Sequence, residues 1–137
     1  MLALIERTCE DGWVTSSSYV PPGWPRQVRP PGAPDWEVTA TAYLFDCCPP
    51  DFRGYPVLRR HPVVLARFAA QFVDGQYRSA QEGLAGVRTS LGEYVGADVL
   101  GSAVEAWLEQ EAVLARTRRA VLLVEEALRG RIFVRKL

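Results

Sequence analysis

The chain has 137 residues, 48% of them hydrophobic and 23% charged, with sixteen basic side chains balanced by sixteen acidic ones, one histidine and three cysteines. At this size about two thirds of the surface can be buried, enough for one core without disulfides or a metal, and a net charge of zero argues against a generally basic nucleic-acid binder while leaving room for a local patch. No run approaches the roughly twenty apolar residues of a membrane span; Glu6 and Arg7 break the Met1-Leu-Ala-Leu-Ile5 run before a signal-peptide core is complete, so the expected setting is the cytoplasm, with thiols reduced.

Residues 1–33 read as an extended, proline-rich arm. Pro21-Pro22-Gly23-Trp24-Pro25 and Arg29-Pro30-Pro31-Gly32-Ala33-Pro34 have the composition of turns and polyproline II. Trp13 and Trp24 are costly to leave in water, and Trp24 is expected to fasten the arm to the body. The alternative is a proline-rich docking segment for a partner. From Pro34 the pattern is helical: Trp36, Ala40, Tyr43, Leu44 and Cys47 predict a helix over about 35–47, stopped by Pro49-Pro50. Residues 51–56 read as a turn and 57–60 as one helical turn.

His61-Pro62 opens a second helix, with a side chain able to cap and proline at the first helical position. Its apolar stripe from Leu65 through Phe68, Phe72, Val73 and Val87 persists to about residue 91 in spite of Gly75, Gly83 and Gly86. Gly92 and Gly96 bracket a turn. A third helix over about 97–129 carries Leu100, Val104, Trp107, Leu114, Val121 and Leu128 in alternating steps of three and four, with Glu111, Arg118 and Glu125 completing a heptad-like series. Gly130 ends it, and residues 130–137 form a basic tail.

The fold class is therefore all-α: one domain built on a long antiparallel helical hairpin, with the shorter helix and the arm packed along it. Each long helix would span about 45 Å, and the remaining elements are too short to cover both broad faces. Self-association into a homodimer is the simplest way to bury the rest.

No stretch carries an enzyme signature, and no catalytic residue, cofactor or metal is assigned. Gly-x-x-x-x-Gly-Lys and Gly-x-Ser-x-Gly are absent. Adjacent Cys47 and Cys48 are poorly spaced for zinc, and a helix carboxyl end raises rather than lowers a thiol pKa; Cys47 is expected in the core and Cys48 at the helix end. Arg59, Arg60 and His61, with Arg67 further along, read either as an anion site at a helix start or as a cap flanked by arginines paired with carboxylates such as Asp46 or Asp51. Gln76, Glu111, Arg118 and Glu125 read either as inward polar layers that fix register or partner, with their partners on another helix or another subunit, or as side chains snorkelling to the edge of a narrow stripe. Arg129, Arg131, Arg135 and Lys136 surround Ile132-Phe133-Val134 and suit an acidic partner, an edge strand or, more weakly, a phosphate backbone.

Pro21-Pro-Gly-Trp-Pro25, Pro31-Gly-Ala-Pro-Asp-Trp36, Tyr55-Pro-Val-Leu-Arg-Arg-His-Pro62 and Val124-Glu-Glu-Ala-Leu-Arg-Gly-Arg131 resemble a group of small actinobacterial proteins with no assigned activity. The resemblance covers about residues 21–137 and implies a bacterial cytoplasmic source without adding a mechanism. The leading expectation is a non-enzymatic interaction or scaffold protein that acts as a helical homodimer or through a helical partner surface. The alternative is an anion- or nucleic-acid-binding module using the Arg59-Arg60-His61 helix start and the basic tail.

Overall fold

A computed structural model describes residues 19–136. The readings made of Met1–Ile5, of Trp13 and of residues 1–18 of the arm lie outside the described residues. The described chain is all-helical: α1 (Trp36–Asp46), a 3₁₀ turn (Pro50–Gly54), α2 (Pro56–Arg60), α3 (Pro62–Leu91) and α4 (Ala97–Leu128). Helices α3 and α4 form the antiparallel hairpin, and α1 and α2 pack on it at the end where α3 begins and α4 finishes.

Burial is concentrated at that base. Ala40, Leu44 and Phe45 of α1 and Leu58 of α2 close on Leu65, Ala66, Ala69 and Val73 of α3 and on Val121 and Val124 of α4. The spacing of these positions accounts for the elements. Ala40 and Leu44 are one turn apart on α1, and Leu65, Ala69 and Val73 form a four-residue ridge along α3, the ridge that interlocks in close helix packing. Pro56 and Pro62 each stand at the start of a helix, where a missing amide costs nothing.

The arm departs from the extended reading. Residues 19–33 are a chain of reverse turns folded onto the body: Trp24 N–H donates to the Pro21 carbonyl, Val28 N–H to Pro25 and Ala33 N–H to Pro30. In two of these turns the sequence is Pro-Pro-Gly-x, with Gly23 at φ 98° and Gly32 at φ 93°. Proline at the second position and a left-handed glycine at the third define a type II turn. The turns bring Val28 into the core and set Trp24 between Trp36, at 6.5 Å, and Phe133, at 5.8 Å. The Trp24 indole N–H donates to the Val28 carbonyl at 2.9 Å within the arm, and its ring, packed on Trp36 of α1 and Phe133 of the tail, fastens the arm to the body.

Beyond the base the hairpin stands alone. On α3 only Ala80 and Val87 are buried past Val73, and on α4 every buried residue lies at Ala120 or later. Trp107 lies across Gly83, where an added Cβ would collide with the indole ring, whereas a Cβ at Gly86 would meet nothing within 4 Å. Gly101→Ala on α4, where an added Cβ likewise meets nothing within 4 Å, should therefore gain the full helix-propensity difference, about 1 kcal/mol, and raise the melting temperature. Gly83→Ala should lose that gain to overpacking against Trp107 and melt no higher than the parent. Thermal denaturation of the two variants side by side checks this.

Candidate functional site

The predicted anion cluster does not assemble. Arg59 Nη1 donates to the Arg53 carbonyl at 2.6 Å, and Arg53 itself pairs with Asp46 at 2.7 Å. Arg60 and His61 are exposed. His61 occupies the N-cap of α3 but makes no side-chain cap hydrogen bond; its carbonyl accepts from Leu65 N–H instead. Arg67 has turned toward α4, where its Nε lies 3.4 Å from Glu125 Oε2. Arg59 and Arg67 are thus engaged by different partners, while Arg60 and His61 stay exposed, and the four side chains do not converge on one point.

Two of the four seam residues do form an inter-helix layer. Glu125 is a buried carboxylate held by Arg67 from α3 and, at 2.9 Å, by Arg129 from the end of its own helix. About two turns deeper along the hairpin, Arg118 Nε donates to Asp74 Oδ1 at 2.7 Å and its guanidinium lies over Tyr77, while Arg78 takes the other Asp74 oxygen at 3.1 Å. Arg67, Asp74 and Tyr77 come from α3 of the same chain, and Arg129 from the end of α4 itself. Glu111 is half-buried without an ion pair to another described residue. Of the two readings of Gln76 the structure has the edge rather than the inward layer: it is exposed on α3.

The exposed side of Gln76 is the feature that the stripe alone hid. Rows of every seventh residue run straight along a helix pair. On α4 the row Val99, Ala106, Val113, Ala120, Ala127 is buried in its last two members under the arm and α1, and exposed in its first three. On α3 the row Leu65, Phe72, Ser79, Gly86 passes from core to open surface in the same way, as does Ala69, Gln76, Gly83, Ser90. Helix α1 thus covers half of one hairpin face, and the other half continues bare, with Val99 52% and Val113 37% exposed among alanine, glycine and serine. The repeat of small residues at seven-residue spacing was visible in the sequence, but only the position of α1 shows which row is left open.

The cysteines are exchanged relative to expectation. Cys48 is in the core and Cys47 is half-buried, because α1 ends at Asp46 and the turn at Cys47 directs the next side chain inward. Burial first, then the neighbouring Cys47 thiol, pushes the Cys48 pKa up to about 11, with Arg53 opposing. Burial likewise raises Cys47 and Tyr43. Among the described residues no group of His, Cys, Asp and Glu is placed to hold a metal ion, and no helix is long and apolar enough to cross a membrane.

The basic tail is ordered by the end of α4. Gly130 N–H donates to the Ala127 carbonyl and Arg131 N–H to Glu126, both at 3.0 Å, the paired bonds of a Schellman turn with glycine in the left-handed position. Arg131 adds an ion pair to Glu126 at 2.6 Å, and Arg135 lies over Tyr19. Lys136 is exposed. The tail and the Arg59-Arg60-His61 corner share no contact that would make them one site. Comparison of the chain with family models, with curated proteins and with solved structures finds no match, so the functional reading rests on this geometry.

Two outcomes follow from the buried groups. The Arg67 and Arg129 side chains are 55% and 53% exposed, so in Glu125→Leu both return to water and urea denaturation should show a change within about 1 kcal/mol. Arg67→Ala combined with Arg129→Ala leaves the carboxylate buried and unpaired, and should cost about 3–5 kcal/mol. For Cys48, a folded pKa of about 11 above the ordinary 9.0 means that the neutral thiol favours the fold: this contribution is complete below pH 9.0, declines as pH rises and is lost above about 11. At pH 8 its thiolate fraction should be about a hundredfold lower than in the unfolded chain, read as slowed iodoacetamide labelling of the Cys48 peptide by mass spectrometry.

Proposed function

We propose that this protein is a non-enzymatic, homodimeric interaction protein whose hairpins pair through the half-face that α1 leaves bare. The supporting observation is the interrupted row on α4: Ala120 and Ala127 are covered, while Val99, Ala106 and Val113 on the same line are not. A second copy related by a two-fold axis lays its own bare half on this one, and the four distal helices close into a bundle with each base abutting the partner's hairpin tip. Small residues at Ser79, Gly86 and Ala106 let backbones approach closely, and exposed Gln76 stands at the edge of the face, where a polar group fixes register.

The area is sufficient for such a pair. About eighteen residues per helix at 1.5 Å rise give a face about 27 Å long, and two helices about 10 Å apart make it about 20 Å wide. Burying this on both copies removes about 1,100 Å² of projected surface, above the roughly 1,000 Å² that a specific interface needs. The opposite edge, the row Leu108, Ala115, Leu122, is less suited, because Leu122 there lies beside Arg67, Asp74 and Arg118.

Size exclusion with light scattering should give a dimer at both low and high salt, as expected of an apolar contact. Ala106→Glu should convert it to a monomer of unchanged helix content by circular dichroism, and Leu108→Glu should leave it dimeric. A dimer indifferent to Ala106→Glu and abolished by Leu108→Glu would move the interface to the other edge; a monomeric parent would overturn the reading.

A further inference from the structure

At the base, the tail and the arm form the walls of an open cleft of about 610 Å³ with α4 as its floor. Its construction is specific. Phe133 is buried against Trp24, Leu123 and Ala127, which pins the middle of the tail, and the two neighbours of Phe133 point the other way: Ile132 is 75% and Val134 70% exposed. Alternation of this kind is that of an extended strand, with one side chain down and the flanking two up. The tail's main-chain N–H groups beyond Arg131 donate to no other described residue.

Charge on the cleft is one-sided. Arg119 is held at its wall by two hydrogen bonds to the Pro22 carbonyl, at 3.2 and 3.1 Å, and Arg131, Arg135 and Lys136 line the tail side. Glu126 is the one carboxylate in the lining, and Arg131 already neutralises it at 2.6 Å. Three cations remain without an acidic partner among the described residues.

We infer that this cleft binds an extended acidic peptide segment of a partner protein, one that alternates carboxylate with apolar side chains and pairs along the tail as an added strand. Strand addition supplies main-chain hydrogen bonds from an unpaired edge and takes alternate side chains into separate environments, which here are the cationic wall and the Ile132-Val134 ridge. A phosphate backbone answers only half of this surface. It matches the arginines and leaves the two most exposed aliphatic side chains of the cleft in water.

The test uses the full chain and a fluorescein-labelled octapeptide of alternating glutamate and valine, followed by anisotropy at low salt, with a labelled single-stranded oligonucleotide of equal charge as the competitor class. The peptide should bind and weaken with added salt. Arg135→Ser with Lys136→Ser, and separately Ile132→Ser with Val134→Ser, should each weaken it about tenfold, equivalent to roughly 1.4 kcal/mol, and Ala106→Glu should not change it. All four tail side chains are exposed, and unchanged thermal melting of the variants shows that the tail's anchor at Phe133 is intact. Absence of peptide binding, binding unaffected by the Ile132-Val134 pair, or tighter binding of the oligonucleotide would each overturn the inference.

Discussion

Leu44, Leu58, Leu65, Val121 and Val124 meet with no surface left in water, and the position of every other element depends on that contact. It joins four helices at a single place, the base of the hairpin. Two helices about 45 Å long are thus clamped at one end only, and the clamp is made of elements far shorter than what they hold. The bare half-face is the direct result. It arises from the mismatch in length between α1, which has 11 residues, and α3 and α4, which have 30 and 32.

Charge supports this arrangement without creating it. The Glu125 layer and the Asp74–Arg118 layer cross from α3 to α4 near the base and fix how the helices slide against one another, since a shift of one turn would strand a buried carboxylate. Past Arg118 toward the tip no ion pair between the two helices is found among the described residues, and contact there comes from Ala80, Val87 and the Trp107 ring over Gly83. Register is therefore specified near the base and carried outward by helix rigidity.

Much of the architecture was legible in the residues. Prolines 50, 56 and 62 and glycines 92, 96 and 130 mark the breaks between elements, and the stripe from Leu65 to Leu91 survives three glycines because its apolar spacing outweighs their propensity cost. The arm was misread for a local reason: proline content suggested an extended rod, but each Pro-Pro pair is followed by glycine, and that order makes a turn. Site residues were harder. A heptad series identifies Arg118 and Glu125 as inward-facing but cannot say whether their partners are on the same chain, and Gln76 lies close enough to the stripe to be counted with it while actually lying at its open edge. Likewise Cys47 and Cys48 differ by one residue at a helix end, where a small change in where the helix stops exchanges their environments.

The order in which the base is completed has a consequence for biogenesis. Helices α1, α2 and α3 contribute one side of the core, but Val121, Val124 and Phe133 come from the far end of α4 and the tail. On a ribosome the first three helices emerge with that apolar side open, and closure waits for the return strand of the hairpin, since a contact distant in sequence cannot form before its second half exists. During that interval the surface on α1 and α3 that the finished protein buries stays open to solvent.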